Sequence, residues 1–195
     1  VDRYAVAAAA QGLRVCVVVN KCDQGVPPDV EAALALREAH GIDVIRASAL
    51  LRFGLDAIRA HAAQHDAGPW ALVGHSGVGK TSLIGALLPG VDVGAIGELS
   101  EYWGTGQHTT TGSRLFPLPG GGELLDSPGI RTFTPGGLTV DTVRTWFPGL
   151  PQGVCRYRDC QHREGEDGCG VVDIDPELLA SYRRLLEDVR GIGSR

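Results

Sequence analysis

The strongest constraint on how this chain can fold is the loop Gly74-His75-Ser76-Gly77-Val78-Gly79-Lys80-Thr81 and its surroundings. It fits G-x-x-x-x-G-K-[ST], a pattern whose backbone N–H groups turn inward around a phosphate and whose glycines permit that crowded geometry. Trp70-Ala71-Leu72-Val73 ahead of it is an apolar run suited to a buried strand. Ser82 to Leu88 behind it reads as a helix that Pro89-Gly90 stops. Strand, loop and helix in that order is the context the pattern requires, and the helix N-terminus favours a phosphate. Lys80 would reach the β- and γ-phosphates of a nucleotide, and the Thr81 hydroxyl would ligate Mg2+. The contacting set in this segment is Gly74, His75, Ser76, Gly77, Val78, Gly79, Lys80, Thr81 and Ser82. The His75 side chain itself reads as a variable one.

Two further segments specify the base. Asn20-Lys21-Cys22-Asp23 follows the apolar run Val15 to Val19. The Asp23 carboxylate can accept from guanine N1–H and the 2-amino group. Adenine offers neither donor, and a site built on such bonds rejects an analogue lacking them by roughly 10⁴-fold or more. Asn20 would brace the phosphate loop, and Lys21 would lie along the base. Ser48-Ala49 follows Ile42 to Ile45, and the Ala49 N–H can meet guanine O6. Each short motif alone could be a polar turn after a strand; their company with the phosphate loop is what gives them meaning.

Asp126-Ser127-Pro128-Gly129 follows Glu123-Leu124-Leu125, a plausible strand. Asp126 would hold Mg2+ through water, and the Gly129 N–H would touch a γ-phosphate. Thr109 or Thr110, in the run Thr109-Thr110-Thr111, would close on Mg2+; the sequence does not choose between them. Many GTPases orient the attacking water with a Gln just after that glycine. Here the position is Ile130, which cannot hydrogen-bond to water. His108 is the nearest candidate to orient the water or act as base, against a plain loop histidine.

The order of these pieces sets the fold class. In an ordinary GTPase the phosphate loop leads and the guanine readers close the chain; here the guanine readers lead. The chain reads as an α/β, circularly permuted P-loop GTPase, a mostly parallel sheet with helices on both faces, over residues 1–134. A small C-terminal zinc-binding, helix-containing domain is expected over residues 135–195, with helices near Val140 to Trp146 and Pro176 to Val189. In the first half, Asp29 is expected to cap a helix over Val30 to Ala39, and Gly54-Leu55 to open another. Trp146, Phe147 and Tyr157 are expected to pack the C-terminal part. The segment from Asp126 to Phe133 runs directly into that part, so the γ-phosphate state could reposition it.

The zinc expectation comes from the cysteines. Of five, Cys16 and Cys22 fall in the first strand and the guanine motif and read as buried or incidental thiols. The others cluster as Cys155-x4-Cys160-x-His162-x6-Cys169. Three thiolates and one imidazole in so short a span suit a tetrahedral structural Zn2+ with no open position, hence no zinc chemistry. The alternative is unpaired surface cysteines beside a histidine. No signal peptide or long apolar span is evident, which points to a soluble cytoplasmic chain without disulfides and without a membrane partner.

Taken together, the permuted order, Ser76-Gly77-Val78-Gly79-Lys80, Gly106-Gln107-His108-Thr109-Thr110-Thr111, Asp126-Ser127-Pro128-Gly129 and the Cys/Cys/His/Cys cluster resemble the ribosome small-subunit-dependent GTPases, RsgA/YjeQ. The resemblance spans nearly the whole chain. It implies GTP hydrolysis to GDP and phosphate when bound to the small ribosomal subunit and its rRNA, in late assembly of that subunit. It implies Mg2+ and one structural Zn2+, and a hydrophobic residue at Ile130 with a catalytic histidine at His108. Three departures stand out. Nothing here can supply the RNA-binding barrel with which the family usually begins. Gln107 replaces a usual basic residue. The His162-to-Cys169 spacing is one residue longer than expected.

Composition bears on partners. The net charge of −5 and a pI near 5.6 argue against binding RNA by bulk charge. Residues 151–195 carry seven Arg against nine acidic side chains. Arg156 with Arg158 and Arg183 with Arg184 could meet phosphates or be a solvated face. The chain has no Met and begins at Val1, and is expected to be a piece of a longer protein; a monomer is expected. Two rivals stay open: a GTP-binding regulator in which hydrolysis is incidental, and a zinc-containing nucleic-acid module whose phosphate loop has decayed. Lys80, Thr81, Asp126 and Asp23 argue against the second.

Overall fold

The computed structural model describes residues 1–64, 68–90, 114–126, 137–151, 153–157, 160–163 and 165–192. Its elements are α1 (Asp2–Ala9), β1 (Cys16–Val19), a 3-10 turn (Cys22–Gln24), α2 (Pro28–Ala39), β2 (Asp43–Arg46), α3 (Leu55–Ala63), β3 (Trp70–Ala71), α4 (Lys80–Leu87), β4 (Arg114–Pro117), β5 (Glu123–Asp126), α5 (Val140–Trp146) and α6 (Pro176–Ile192). They gather into two compact units: Val1–Val17 with Pro27–Val44 and Thr134–Arg195, and Val18–Val26 with Ile45–Phe133.

The second unit is built on β3, β5 and β4, in that order across the sheet. β3 pairs parallel to β5, with Trp70 opposite Leu124, and β4 pairs antiparallel to β5, with Leu115 opposite Leu125. α3 and α4 close over a core containing Leu55, Ile58, Leu83, Leu87 and Leu124, with Trp70 and Phe116 packed against it. Burying each such side chain contributes roughly 1.5–3 kcal/mol, enough collectively to fix the loop between β3 and α4. β1 pairs with β2. Just past their ends, Ala47 N–H donates to Val19 O at 2.8 Å and Cys22 N–H to Ala47 O at 3.1 Å. These bonds bring residues 20–23 and 48–49 side by side.

The first unit is helical. α6 presents Leu178, Tyr182, Leu185, Leu186 and Val189 at i, i+4, i+7, i+8 and i+11, one continuous face, which buries against Val6 of α1, Val143 of α5 and Phe147, the C-cap of α5. Its first turn is held by Asp175 Oδ1, which accepts from the N–H of Glu177 at 2.8 Å. α5 starts where Thr139 Oγ1 accepts from Thr142 N–H at 3.1 Å, a side-chain cap. The buried Arg37 of α2 binds both Asp2 oxygens, at 2.8 and 3.2 Å, and Ser181 of α6 donates to the same carboxylate.

Some local expectations change. α2 begins two residues earlier than expected: Pro27, not Asp29, is its N-cap and Pro28, not Val30, its first residue, and Asp29 lies in the first turn. Proline needs no donor there and has the right φ. Phe147 is buried as expected, but Trp146 and Tyr157 are 45% and 44% exposed. The face of α5 is set by Val143 and Phe147, and Trp146 falls off it. Among the described residues, no helix is long and apolar enough to cross a membrane.

Candidate nucleotide site and metal centre

In the second unit the segments read as guanine and phosphate loops lie against each other. Asn20 Nδ2 donates to Val78 O at 3.1 Å and lies 3.4 Å from Gly79 O, and Lys21 Nζ donates to Gly77 O at 2.7 Å. Asn20 faces two ways: its Oδ1 accepts from Ala49 N–H at 3.1 Å. The Asp23 carboxylate accepts from Ser48 Oγ at 2.5 Å, and Ser48 Oγ accepts in turn from Leu51 N–H at 3.1 Å. Ser48 is buried, so its hydroxyl aims a carboxylate that is itself exposed.

The phosphate loop turns through positive φ at Gly77 (81°) and Gly79 (88°), and Gly79 is the N-cap of α4. A Cβ at Gly79 would stand 2.5 Å from Asn20 Nδ2, so close approach as well as backbone conformation requires glycine. Lys80 coils back over its own loop, with Nζ on Gly74 O at 2.6 Å and His75 O at 2.8 Å. His75, Ser76, Gly77 and Val78 are exposed, Thr81 is half-buried and Ser82 exposed on the first turn of α4. Asp126 ends β5, beside β3, from which the phosphate loop springs. His108, Thr109, Thr110, Thr111, Gly129 and Ile130 lie outside the described residues.

The cysteine cluster forms in the first unit. The four ligand atoms of Cys155, Cys160, His162 and Cys169 lie within 4.8 Å of one another. His162 Nδ1 is 3.5, 3.5 and 3.6 Å from the three sulfurs. A tetrahedron with a metal–sulfur bond of about 2.3 Å and a metal–nitrogen bond of about 2.05 Å has N···S edges near 3.55 Å. The donor set therefore fits one tetrahedral Zn2+. Burial pushes the Cys160 thiol up to about 12, so ligation as thiolate depends on a cation's charge. Burial also lowers the His162 imidazole below its ordinary value, favouring the neutral ligand form.

Around the cluster are residues the spacing did not reveal. Gly170 N–H points at Cys155 Sγ at 3.4 Å. Arg144 Nη2 donates to Cys160 O at 3.3 Å, and Arg183 to His162 O. Tyr182 stacks on the His162 ring at 5.2 Å. Glu166 accepts from Gln161 and Arg163 N–H at 2.8–3.0 Å, which holds its carboxyl below the usual range. Such groups orient ligands and offset charge; bonds from a remote helix to a ligand's own backbone carbonyl leave no mark in a motif.

A family model described as RsgA GTPase matches residues 1–135. The "small ribosomal subunit biogenesis GTPase RsgA" of Pseudomonas aeruginosa (PAO1) is 40% identical over 197 aligned residues, 95% of this chain and 57% of the relative. The protein of that name from Azotobacter vinelandii is 41% identical over 95% of this chain and 56% of its own. The chain thus spans little more than half the length of these relatives. Among solved structures, YjeQ from Thermotoga maritima aligns with a TM-score of 0.69 at 21% identity, over 97% of this chain and 65% of that one. YloQ, described as a circularly permuted GTPase, aligns with a TM-score of 0.69 at 18% identity, over 100% of this chain and 63% of its own. The permuted α/β GTPase fold is therefore shared.

Proposed function

The chain belongs to the RsgA GTPase family, and on that premise we propose that it binds GTP with Mg2+ and hydrolyses it to GDP and phosphate in the maturation of the small ribosomal subunit. The observation that carries the reading is the double engagement of Asn20, bonded to Val78 O on one side and to Ala49 N–H on the other. One side chain thereby ties base-reading and phosphate-binding segments into a single site.

In this site Asp23, aimed by Ser48, reads the guanine edge, with Lys21 along the ring and the Ala49 N–H near O6. Gly74 to Ser82 cradle the phosphates, and Lys80 exchanges its loop carbonyls for phosphate oxygens. The Thr81 hydroxyl and the Asp126 carboxylate are hard oxygen donors of the kind Mg2+ takes, and Thr109 or Thr110 completes that set. Mg2+ supplies charge neutralisation on the β- and γ-phosphates. Gly129 contacts the γ-phosphate, and His108 orients the attacking water in place of a glutamine, a role Ile130 cannot fill.

The GTP-handling part is placed over residues 1–134, following the span 1–135 that the family model matches, with a zinc-binding part over 135–195. The compact units cut across this division of the sequence, because α1 and α2 pack with the C-terminal helices. Cys155, Cys160, His162 and Cys169 hold one structural Zn2+. Four protein ligands leave no position for substrate, so its contribution is to the fold. The relatives' names support the small ribosomal subunit as partner; its rRNA as the contact, and a monomer in the cytoplasm as the working form, belong to the same proposal. The γ-phosphate state is read out by the C-terminal part, into which residues 126–133 lead. Hydrolysis by the purified chain, with and without purified small subunits and with Asp23→Ala as control, tests the proposal. Slow basal turnover with strong stimulation is expected; turnover that survives Asp23→Ala would contradict it.

A further inference from the structure

The loop from Ser48 to Gly54 is the guanine-reading segment most exposed to solvent. Leu50, Leu51 and Phe53 are 79%, 67% and 60% exposed, so apolar burial does not hold it in place. Its two ends are pinned. Ser48 and Phe53 exchange backbone hydrogen bonds at 3.0 and 3.1 Å. Gly54, at φ 73°, packs so closely on Arg46 O that a Cβ there would collide with it. From the tip a side-chain hydrogen bond reaches another element. Arg52, itself at φ 54°, reaches Ala86 O at 3.3 Å with Nη2.

Ala86 lies in the last turn of α4, the helix that begins at the phosphate loop. The final carbonyls of a helix lack intrahelical donors, and a cation there also favours the helix dipole. A second arginine serves the same turn: Arg59 Nη2 donates to Ala86 O at 3.1 Å and to Leu87 O at 3.2 Å. Arg59 belongs to α3, whereas Arg52 belongs to the guanine-reading loop. A non-glycine residue held in the left-handed region is an outlier that the surrounding structure must enforce. At Arg52 the enforced conformation is what delivers the guanidinium to α4.

The geometry points to Arg52 as a positioning residue for base recognition. It registers the Ser48–Ala49 edge of the guanine pocket against the far end of the phosphate-loop helix, so that base and phosphates are met at a fixed separation. This rests on the GTP reading of the site. The site's two ends are then tied twice, through Asn20 beside the phosphate loop and through Arg52 at the opposite end of α4.

The test compares Arg52→Gly, which keeps the positive φ and removes the guanidinium, with Arg59→Ala, which removes the other contact to the same turn. Binding of GDP, ADP and pyrophosphate is measured in Mg2+ buffer, alongside melting temperature. The expected result is a GDP-over-ADP preference lowered about tenfold in Arg52→Gly, with pyrophosphate affinity unchanged. Arg59→Ala should lower the melting temperature and leave the preference intact. Restoration of the preference in Arg52→Lys would support a positioned cation. An unchanged preference in Arg52→Gly, or an equal loss in both variants, overturns the inference. A wild-type chain that does not prefer GDP to ADP overturns the guanine reading itself, and the inference with it.

Discussion

Asn20 Nδ2 sits 3.1 Å from Val78 O and within 2.5 Å of where a Cβ on Gly79 would be. The phosphate loop is thus packed against the guanine motif with no room for a methyl group. Gly79→Ala must both strain a backbone at φ 88° and push Asn20 away. We expect GDP affinity to fall by at least about tenfold, more than 1.4 kcal/mol, as measured by calorimetric titration.

Ser48→Ala removes the hydroxyl that aims Asp23. Hydrogen bonds to charged groups are worth about 1.5–3 kcal/mol, and the exposure of Asp23 places this one at the low end. Guanine nucleotide affinity should fall about tenfold. Adenine nucleotide binding, which uses no bond to Asp23, should not change. Equal losses for both would mean that Ser48 serves only the loop's fold.

Metal removal should act on the helical unit. Tyr182 and Arg183, adjacent on α6, meet the ring and the backbone carbonyl of His162. Chelation, or Cys160→Ser, is therefore expected to lower the helical circular-dichroism signal and the melting temperature, with one zinc per chain lost by elemental analysis. Loss of zinc with no change in α6 would show that the cluster folds independently.

The legibility of this chain follows how local each signal is. The phosphate loop, its strand and its helix, the α5 segment Val140–Trp146 and the Cys/Cys/His/Cys cluster are set by residues near in sequence, and these were readable. The helix Asp2–Ala9 was not: it is short and alanine-rich, and the partners that bury Val6 lie on α5 and α6, far along the chain. For the same reason the grouping of α1 and α2 with the C-terminal helices was hidden. The Asn20–Ala49 bond and the Arg52 contact join a side chain to a backbone group of another segment, which no spacing rule encodes. Trp146 and Tyr157 show the opposite error: aromatic character suggested burial, but Trp146 falls off the α5 face set by Val143 and Tyr157 stands exposed in the cysteine loop.

Acid should weaken the helical unit through Asp2. Burial raises its pKa, but hydrogen bonds from Arg37 and Ser181 and the Arg37 charge outweigh that, so the net shift is downward. A carboxylate depressed in the folded state contributes stability that is full above its unfolded pKa of about 3.9 and is lost as pH falls through the folded value. Melting temperature should therefore drop below about pH 4. Asp2→Asn should flatten that drop and cost about 3 kcal/mol at neutral pH, because it leaves Arg37 buried with a weakened partner. Unfolding curves from pH 2 to 7 check both.

His108→Ala should lower subunit-stimulated turnover by about 100-fold with GDP affinity unchanged, the range expected for a positioned acid–base group. Single-turnover hydrolysis measures it. Wild-type rates in the variant would reduce His108 to an ordinary loop residue.

The central claim is that Asp23 reads guanine within one site shared with the phosphate loop. It is tested most directly by titrating wild type and Asp23→Asn with GDP and with xanthosine diphosphate. An asparagine amide can donate to the xanthine C2 carbonyl, where the carboxylate could only repel it. The account predicts that Asp23→Asn weakens GDP by about 100-fold or more and gains xanthosine diphosphate in its place. Unchanged GDP affinity in Asp23→Asn would contradict it.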